Sequence, residues 1–218
     1  MSAPQAMPAE RLAPAAELAA LFDKRSLAGV TEDTVPHNLA DLHAAGIGTS
    51  GPAERVELLR ILAGGCGPTA FAMAAELAEA EPEWTDDYTA AVLLGLGERA
   101  YELAVRTATG TAAALLPGTQ FAVARMRASV ATLAALLTRS VAAGPGPVPR
   151  FQIGTEIEAL VSAAYQLIGR GDHEAAVRIG QIWLDLKASA PPFDADLARE
   201  RIGKTVLGID PNETPRWL

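Results

Sequence analysis

Long stretches of this chain repeat apolar residues at the spacing of an α-helix, and this pattern limits the folds open to it. Residues 86–108, 118–142 and 153–170 carry leucine, valine or isoleucine at intervals of three or four. Half of all residues are hydrophobic but only 5% are aromatic, so the apolar surface comes mainly from alanine and leucine, which are strong helix formers. The β-branched and aromatic runs typical of strands are nearly absent. The sequence predicts an all-α fold.

Shorter helical segments precede and follow these three. We expect helices over the segments 9–25, 36–46, 53–63, 68–80, 173–188 and 194–207. A loose tail is expected at 1–8, and turns at 47–52 and 171–172. Breaks at 81–83, 109–117 and 144–149 contain glycine or proline, which interrupt helices. This order predicts an N-terminal helical layer, residues 1–83, packed on an up-down helical bundle formed by residues 84–218.

Charge and cysteine content limit the class of protein further. The net charge is −8 and the isoelectric point is about 4.9, with no cluster of lysine and arginine, so no nucleic-acid partner is expected. The same acidity disfavours anionic membranes, and no uncharged apolar run reaches the ~18 residues that span a bilayer. The single cysteine, Cys66, excludes a disulfide within the chain. We expect a cytoplasmic protein without a signal peptide or a membrane partner.

Several segments carry a likeness to a known family. Residues 37–76 contain HNLADLHAAGIG and ERVELLRILAGGCGPTAFAMAAE, and residues 88–108 read YTAAVLLGLGERAYELAVRTA. Residues 115–137 place a glutamine before a long Ala/Leu run, and residues 203–217 read GKTVLGIDPNETPRW. In this order and spacing the segments resemble the acyl-CoA dehydrogenase superfamily, most closely its branch of flavin-dependent hydroxylases.

The resemblance implies an N-terminal helical domain and a C-terminal bundle that assembles as a homodimer or homotetramer. The family's central β-domain, which shields one face of the flavin ring, is missing here because residues 81–83 join the two helical parts directly. The family's Arg-x-Phe-Gly motif is replaced by different residues at 106–110. These departures favour a protein that works without a cofactor.

The leading hypothesis is a repurposed relative of acyl-CoA dehydrogenases in bacterial secondary metabolism. It would bind an acyl or polyketide-like small molecule and catalyse a non-redox step such as cyclisation, dehydration or isomerisation. Two alternatives stay open. One is an FAD-dependent oxidoreductase completed by a partner chain, and the other is a non-catalytic assembly subunit.

Asp87 and Tyr88 are the first candidate catalytic residues. The resemblance implies a proton-abstracting base in the first bundle helix, and alignment on Leu93 to Gly95 places Tyr88 at that position. A shift of one residue would place Asp87 there instead. A buried carboxylate can act as a base near neutral pH. The alternative is that Asp86 and Asp87 stabilise a helix N-terminus, where negative charge is favourable.

Cys66 and His43 complete the catalytic candidates. Cys66 lies in the glycine-rich run 64–67 before a helix, where a thiolate is stabilised, or it is a small buried residue at a tight junction. His43 could exchange protons or be a structural residue, as could His37 and His173. The histidines fit no metal-ligand spacing, so no metal site is predicted.

Gln120 and Arg125 are the candidate cofactor-binding residues. They begin the second long bundle helix, together with Arg127. In the family this region approaches the cofactor, and arginines there could hold a phosphate or carboxylate. The alternative is a solvated helix face. The glycines at 64–67 do not follow a strand, so they predict neither a dinucleotide-binding nor a P-loop motif.

Overall fold

The computed structural model describes residues 9–27, 29, 31–46, 51–146, 148–169, 172–192 and 194–210. These residues form α-helices and short 3-10 turns, with no β-strand among them, and the predicted all-α fold is confirmed. The helices are α1 (Ala9–Leu27), α2 (Thr34–Ala44), α3 (Pro52–Ala63), α4 (Gly67–Ala80), α5 (Thr85–Ala108), α6 (Pro117–Ala143), α7 (Val148–Ile168), α8 (His173–Ala188) and α9 (Ala195–Val206).

Most predicted helix boundaries lie within two residues of the observed ones. The segment 144–149 was expected to be entirely loop, and this prediction is wrong at its end because α7 already begins at Val148. Pro149 is tolerated there since the first turn of a helix needs no backbone N–H donor. The tail at 1–8, most of the turn at 47–52 and the closing residues of the segment 203–217 lie outside the described residues.

Contacts at the helix ends fix the directions of α5 to α8. The Gly146 N–H, just after α6, donates to Asp87 Oδ2 at the start of α5 over 3.1 Å, so α5 and α6 are antiparallel. At the start of α7, Arg150 Nη1 lies 3.2 Å from Asp86 Oδ1, so α7 runs parallel to α5. Arg150 Nη2 also donates to the Pro191 carbonyl oxygen, just after the end of α8, over 3.0 Å, so α8 is antiparallel to α7. This is the predicted up-down arrangement.

Helix α5 is the centre of the fold. Every residue from Asp87 to Gly97 is buried, because α3, α4, α6, α7 and α8 all pack against this helix. A Cβ atom at Gly95 would lie 2.1 Å from the Arg60 carbonyl oxygen of α3, so only glycine allows the two backbones to cross at this distance. A helix segment that is covered on all sides must be apolar all round, and residues 88–97 are apolar apart from Thr89 and the Tyr88 hydroxyl.

The N-terminal layer is joined to this centre by apolar contacts and by one buried polar chain. The hydrophobic core is continuous from Phe22 to Leu186 and includes residues on both sides of the expected boundary at 83/84. Asn38 of α2 is fully buried; its side chain accepts from Arg25 Nη1 at 2.7 Å and donates to Thr69 Oγ1 at 3.0 Å. This pairing satisfies a polar group that would otherwise destabilise the interior. The division into two regions stays a prediction.

Replacing Gly95 should test whether the crossing of α3 and α5 limits stability. Gly95→Ala forces backbone against backbone and should lower the free energy of unfolding by about 1–3 kcal/mol. Gly180 of α8 is a matched control, because a Cβ there meets no atom within 4 Å. Gly180→Ala should raise stability by about 0.5–1 kcal/mol. Urea denaturation of both variants measures this, and equal effects would contradict the close crossing.

Candidate functional site

A small cavity lies where the turn between α3 and α4 meets α1, α5 and α8. Its volume is about 80 Å³, which is room for roughly six water molecules or for the end of a small ligand. We call it the inner cavity. Its polar lining side chains come from four different elements and are Asp23, Ser26, Cys66, Arg99, Arg178, Gln181 and Asp185.

Glycines form the wall of the inner cavity at the start of α4. A Cβ at Gly65 would lie 2.1 Å from the Ala19 carbonyl oxygen of α1. A Cβ at Gly67 would lie 2.6 Å from the Asp185 side-chain oxygen Oδ2. The sequence predicted that this glycine-rich run lies before a helix and is not a nucleotide-binding motif. The structure adds that α1 and the Asp185 carboxyl group approach the backbone so closely that side chains would not fit.

Asp185 is the acidic group buried in the wall of this cavity. It is 5% exposed, and its Oδ1 accepts a hydrogen bond from Gln181 Nε2 at 2.8 Å. Burial raises the pKa of Asp185 to about 6, although hydrogen bonds from Gln181 and from the Gly67 N–H favour the ionised form. The carboxyl group therefore exchanges a proton in the physiological pH range, as a general acid or base must.

Two arginines share one carboxylate at the edge of the inner cavity. Asp23 of α1 accepts from Arg178 Nη1 through both oxygens, at 2.9 and 2.8 Å. Arg99 Nη2 of α5 donates to the same carboxylate at 3.1 Å. The cluster joins α1, α5 and α8 and places two guanidinium groups beside the cavity. Guanidinium groups match the geometry of carboxylates, so this edge is suited to a negatively charged or carbonyl group.

A wider cleft adjoins the inner cavity. Its volume is about 370 Å³, and it shares Asp23, Gly64 and Arg99 with the inner cavity. We call it the outer cleft. Glu98 also lines it, and burial raises the pKa of this carboxyl group while Arg60 opposes the effect. An elongated molecule could place one end in the inner cavity and the rest in the outer cleft.

Cys66 is the one sequence-predicted catalytic residue that lines the inner cavity. It is 3% exposed, and its Sγ accepts a hydrogen bond from Thr69 Oγ1 at 3.1 Å. The Thr69 hydroxyl continues the buried polar chain that begins at Arg25. The predicted location of Cys66 before a helix is confirmed, because Cys66 caps the N-terminus of α4. Its predicted catalytic role stays a prediction.

Asp87 and Tyr88 are both fully buried but lie away from the inner cavity, with different partners. Asp87 Oδ2 accepts a hydrogen bond from the Gly146 N–H, and Asp87 Oδ1 has no hydrogen-bond partner among the described residues. Burial raises the pKa of Asp87, whereas hydrogen bonds from the Gly146 N–H and the Ser140 hydroxyl lower it by a smaller amount. The Tyr88 hydroxyl donates to Glu81 Oε2 at 2.5 Å. Burial, with the Glu81 carboxylate, raises the pKa of Tyr88 to about 12.

The other predicted site residues lie on the surface. His43 Nε2 lies 2.8 Å from Glu76 Oε2, and both side chains are exposed. Gln120 donates from Nε2 to the Ala114 carbonyl oxygen at 3.0 Å. Arg125 is exposed on α6. None of the three lines the inner cavity or the outer cleft. No metal-binding group of three His, Cys, Asp or Glu side chains occurs in the part of the chain that the structure describes.

Sequence reasoning missed Asp185, although α8 carries a signal for it. The buried face of α8 consists of Ala175, Ile179, Ile182 and Leu186, and Asp185 falls on the same face. An acid within the apolar stripe of an amphipathic helix is unusual, because a buried carboxylate needs a partner or a function. The pattern could have identified the residue. It could not have identified Gly67 and Cys66 as its neighbours, because both lie in a distant part of the chain.

Removing the Asp185 charge should change how stability depends on pH. The pKa of Asp185 is about 6 in the folded state, compared with the ordinary value of 3.8. Its contribution to the free energy of unfolding is therefore fully present below pH 4, where the side chain is neutral in both states. That contribution is lost as pH rises through 6, and it amounts to about 3 kcal/mol. Asp185→Asn should therefore gain about that much relative to wild type between pH 4 and 7. Denaturation at several pH values tests this, and parallel curves would contradict it.

Comparison of the chain with protein-family models, with curated proteins and with solved structures gave no match. The resemblance to acyl-CoA dehydrogenases therefore stays a prediction from the sequence, and the candidate site stands on its own geometry.

Proposed function

We propose that the protein binds a small organic molecule across the inner cavity and the outer cleft, and that Asp185 transfers a proton to or from it. The observation that carries this proposal is the buried Asp185 carboxyl group, whose pKa is about 6, in the wall of a cavity. Titratable groups with shifted pKa values in clefts are enriched at functional sites.

Each neighbour of Asp185 has a definable part in such a step. The Gly67 N–H and Gln181 Nε2 hold the carboxylate in one orientation. At pH 7 most Asp185 is ionised, so it serves as a base, and burial favours the neutral acid that forms when it takes a proton. Arg99 and Arg178 supply positive charge that stabilises an oxyanion developing on the substrate.

The substrate class that we propose is an acyl or polyketide-like molecule, which follows from the resemblance noted in the sequence. Cyclisation, dehydration and isomerisation of such molecules each need proton transfer beside a carbonyl group. The inner cavity accommodates only the reacting end, so the remaining chain would occupy the outer cleft, which is wider. Holding the ligand in one conformer would add to the acid–base effect.

The two alternative functions given by the sequence analysis remain hypotheses. An FAD-dependent oxidoreductase would use Gln120 and Arg125, but both side chains lie on the α6 surface and line neither space described above. We therefore derive no step through a flavin. A non-catalytic assembly subunit would leave Asp185 without a chemical role. The homodimer or homotetramer expected from the resemblance is compatible with all three hypotheses.

Hydrogen–deuterium exchange at carbon tests the proton transfer directly. Butyryl-pantetheine, a short acyl thioester, would be incubated with the protein in D₂O, and loss of its α-proton signal would be followed by NMR. We expect exchange that increases with pH through about 6, because the ionised form of Asp185 is the base. Asp185→Asn should slow exchange by about 10²–10⁴-fold.

Asp196→Asn is the matched control, because Asp196 is an exposed aspartate of α9 outside both spaces. It should exchange at the wild-type rate. Equal rates for wild type and Asp185→Asn, or no exchange with thioesters of several chain lengths, would reject the proposal. The visible spectrum after adding FAD and desalting separates the alternatives, since a retained flavin band would favour the oxidoreductase.

A further inference from the structure

Charge is distributed unevenly along the chain, in a way that the net charge of −8 hides. Residues 103–155 contain five arginines and no aspartate or glutamate. The rest of the chain carries 13 lysines and arginines against 26 aspartates and glutamates. The basic segment comprises the end of α5, all of α6 and the start of α7. A surface built from it would be positive although the protein as a whole is acidic.

Four of these five arginines are exposed and make no ion pair with any residue that the structure describes. Arg150 is the exception, since it pairs with Asp86. The four are Arg106, Arg125, Arg127 and Arg139. Elsewhere in the described chain most arginines pair with an acid, as Arg25, Arg60, Arg99 and Arg178 do. The charge on α6 therefore has no ion-pair partner in the part of the chain that the structure describes.

The same helix exposes apolar side chains. Leu115 and Leu116, just before α6, are 79% and 58% exposed, and Phe121 in its second turn is 70% exposed. The residues of α6 that pack inward are Met126, Leu133 and Leu137. At about 100° per residue, Phe121 and a row of alanines lie on the opposite, outward face, and Arg139 lies on the same face near the end of the helix. Arg125 and Arg127 are about 200° apart and flank that face on its two sides.

Among the described residues, α6 is the one helix that is long and apolar enough to cross a membrane. Such helices are often core helices of soluble proteins, but only 17% of its most apolar window is buried. Its inward face packs on α5 and α7, so the helix is part of the bundle. An apolar face flanked by arginines, on a helix that stays attached to its bundle, is typical of a helix lying in the interface of a membrane.

We propose that the outward face of α6, with Leu115 and Leu116, docks on the surface of an anionic lipid bilayer. The apolar side chains would enter the headgroup boundary, and the flanking arginines would reach the lipid phosphates along their alkyl stems. A second copy of the chain fits this face less well. A symmetric contact would bring the unpaired arginines of both copies together without an acid between them. A nucleic acid would leave Phe121 and the leucines uncovered.

Vesicle flotation with purified full-length protein tests the proposal. The probes are vesicles of phosphatidylcholine alone and of an equal mixture with phosphatidylglycerol. We expect binding to the mixed vesicles only, weakened by raising the salt concentration. Each arginine near an anionic surface contributes about a fivefold gain in partitioning. Arg125→Glu reverses one charge and should lower binding more than tenfold, while Phe121→Ser should lower it severalfold.

Matched control variants come from outside the basic segment 103–155. Lys24→Glu makes the same charge change on α1, and Leu184→Ser removes an apolar side chain of α8 that is also more than half exposed. Both should bind like wild type. Circular dichroism shows that each variant is folded. Equal binding to both vesicle types, no binding, or equal losses in the controls would overturn the proposal. Self-association that Phe121→Ser abolishes would overturn it in favour of a second copy.

Discussion

The close crossing of α3 and α5 at Gly95 is the constraint on which the rest of the structure depends. With no side chain there, the two backbones approach so closely that a Cβ would overlap the Arg60 carbonyl oxygen. That approach lets α5 be covered on all sides, and eleven consecutive residues from Asp87 to Gly97 are buried as a result. The N-terminal layer and the bundle therefore share one hydrophobic core, and the turn that follows α3 is held against α8.

The candidate site is a consequence of that packing. α3 leads directly into the glycine turn, and Gly67 meets the Asp185 carboxyl group where α4 begins. Burying this carboxylate opposes folding above pH 6, because desolvation raises its pKa above the ordinary value. A fold selected for stability alone would favour an apolar residue at this position of α8. The retained acid is the physical argument for a functional role.

Polar groups in this protein are divided between two environments. Inside, charges and amides are held by specific partners, as in the chain from Arg25 through Asn38 to Thr69. On α6 the arginines have no partner within the described chain and stand beside exposed apolar side chains. A reaction site enclosed by α1, α4, α5 and α8 and a docking face on α6 would be separate, so a membrane-bound protein could still admit a ligand to the outer cleft.

The sequence by itself determined the all-α class, the order of the helices and most of their ends, because helical periodicity and glycine or proline breaks are local properties. It also placed Cys66 before a helix. Only the tertiary structure decided which polar residues meet. Asp185 and Gly67 are far apart in the chain, and so are Asp23 and Arg178. No local sequence pattern could therefore predict either contact. Asp87 and Tyr88 point in different directions because they are neighbours on one helix. The packing of the bundle decided that neither of them lines the inner cavity.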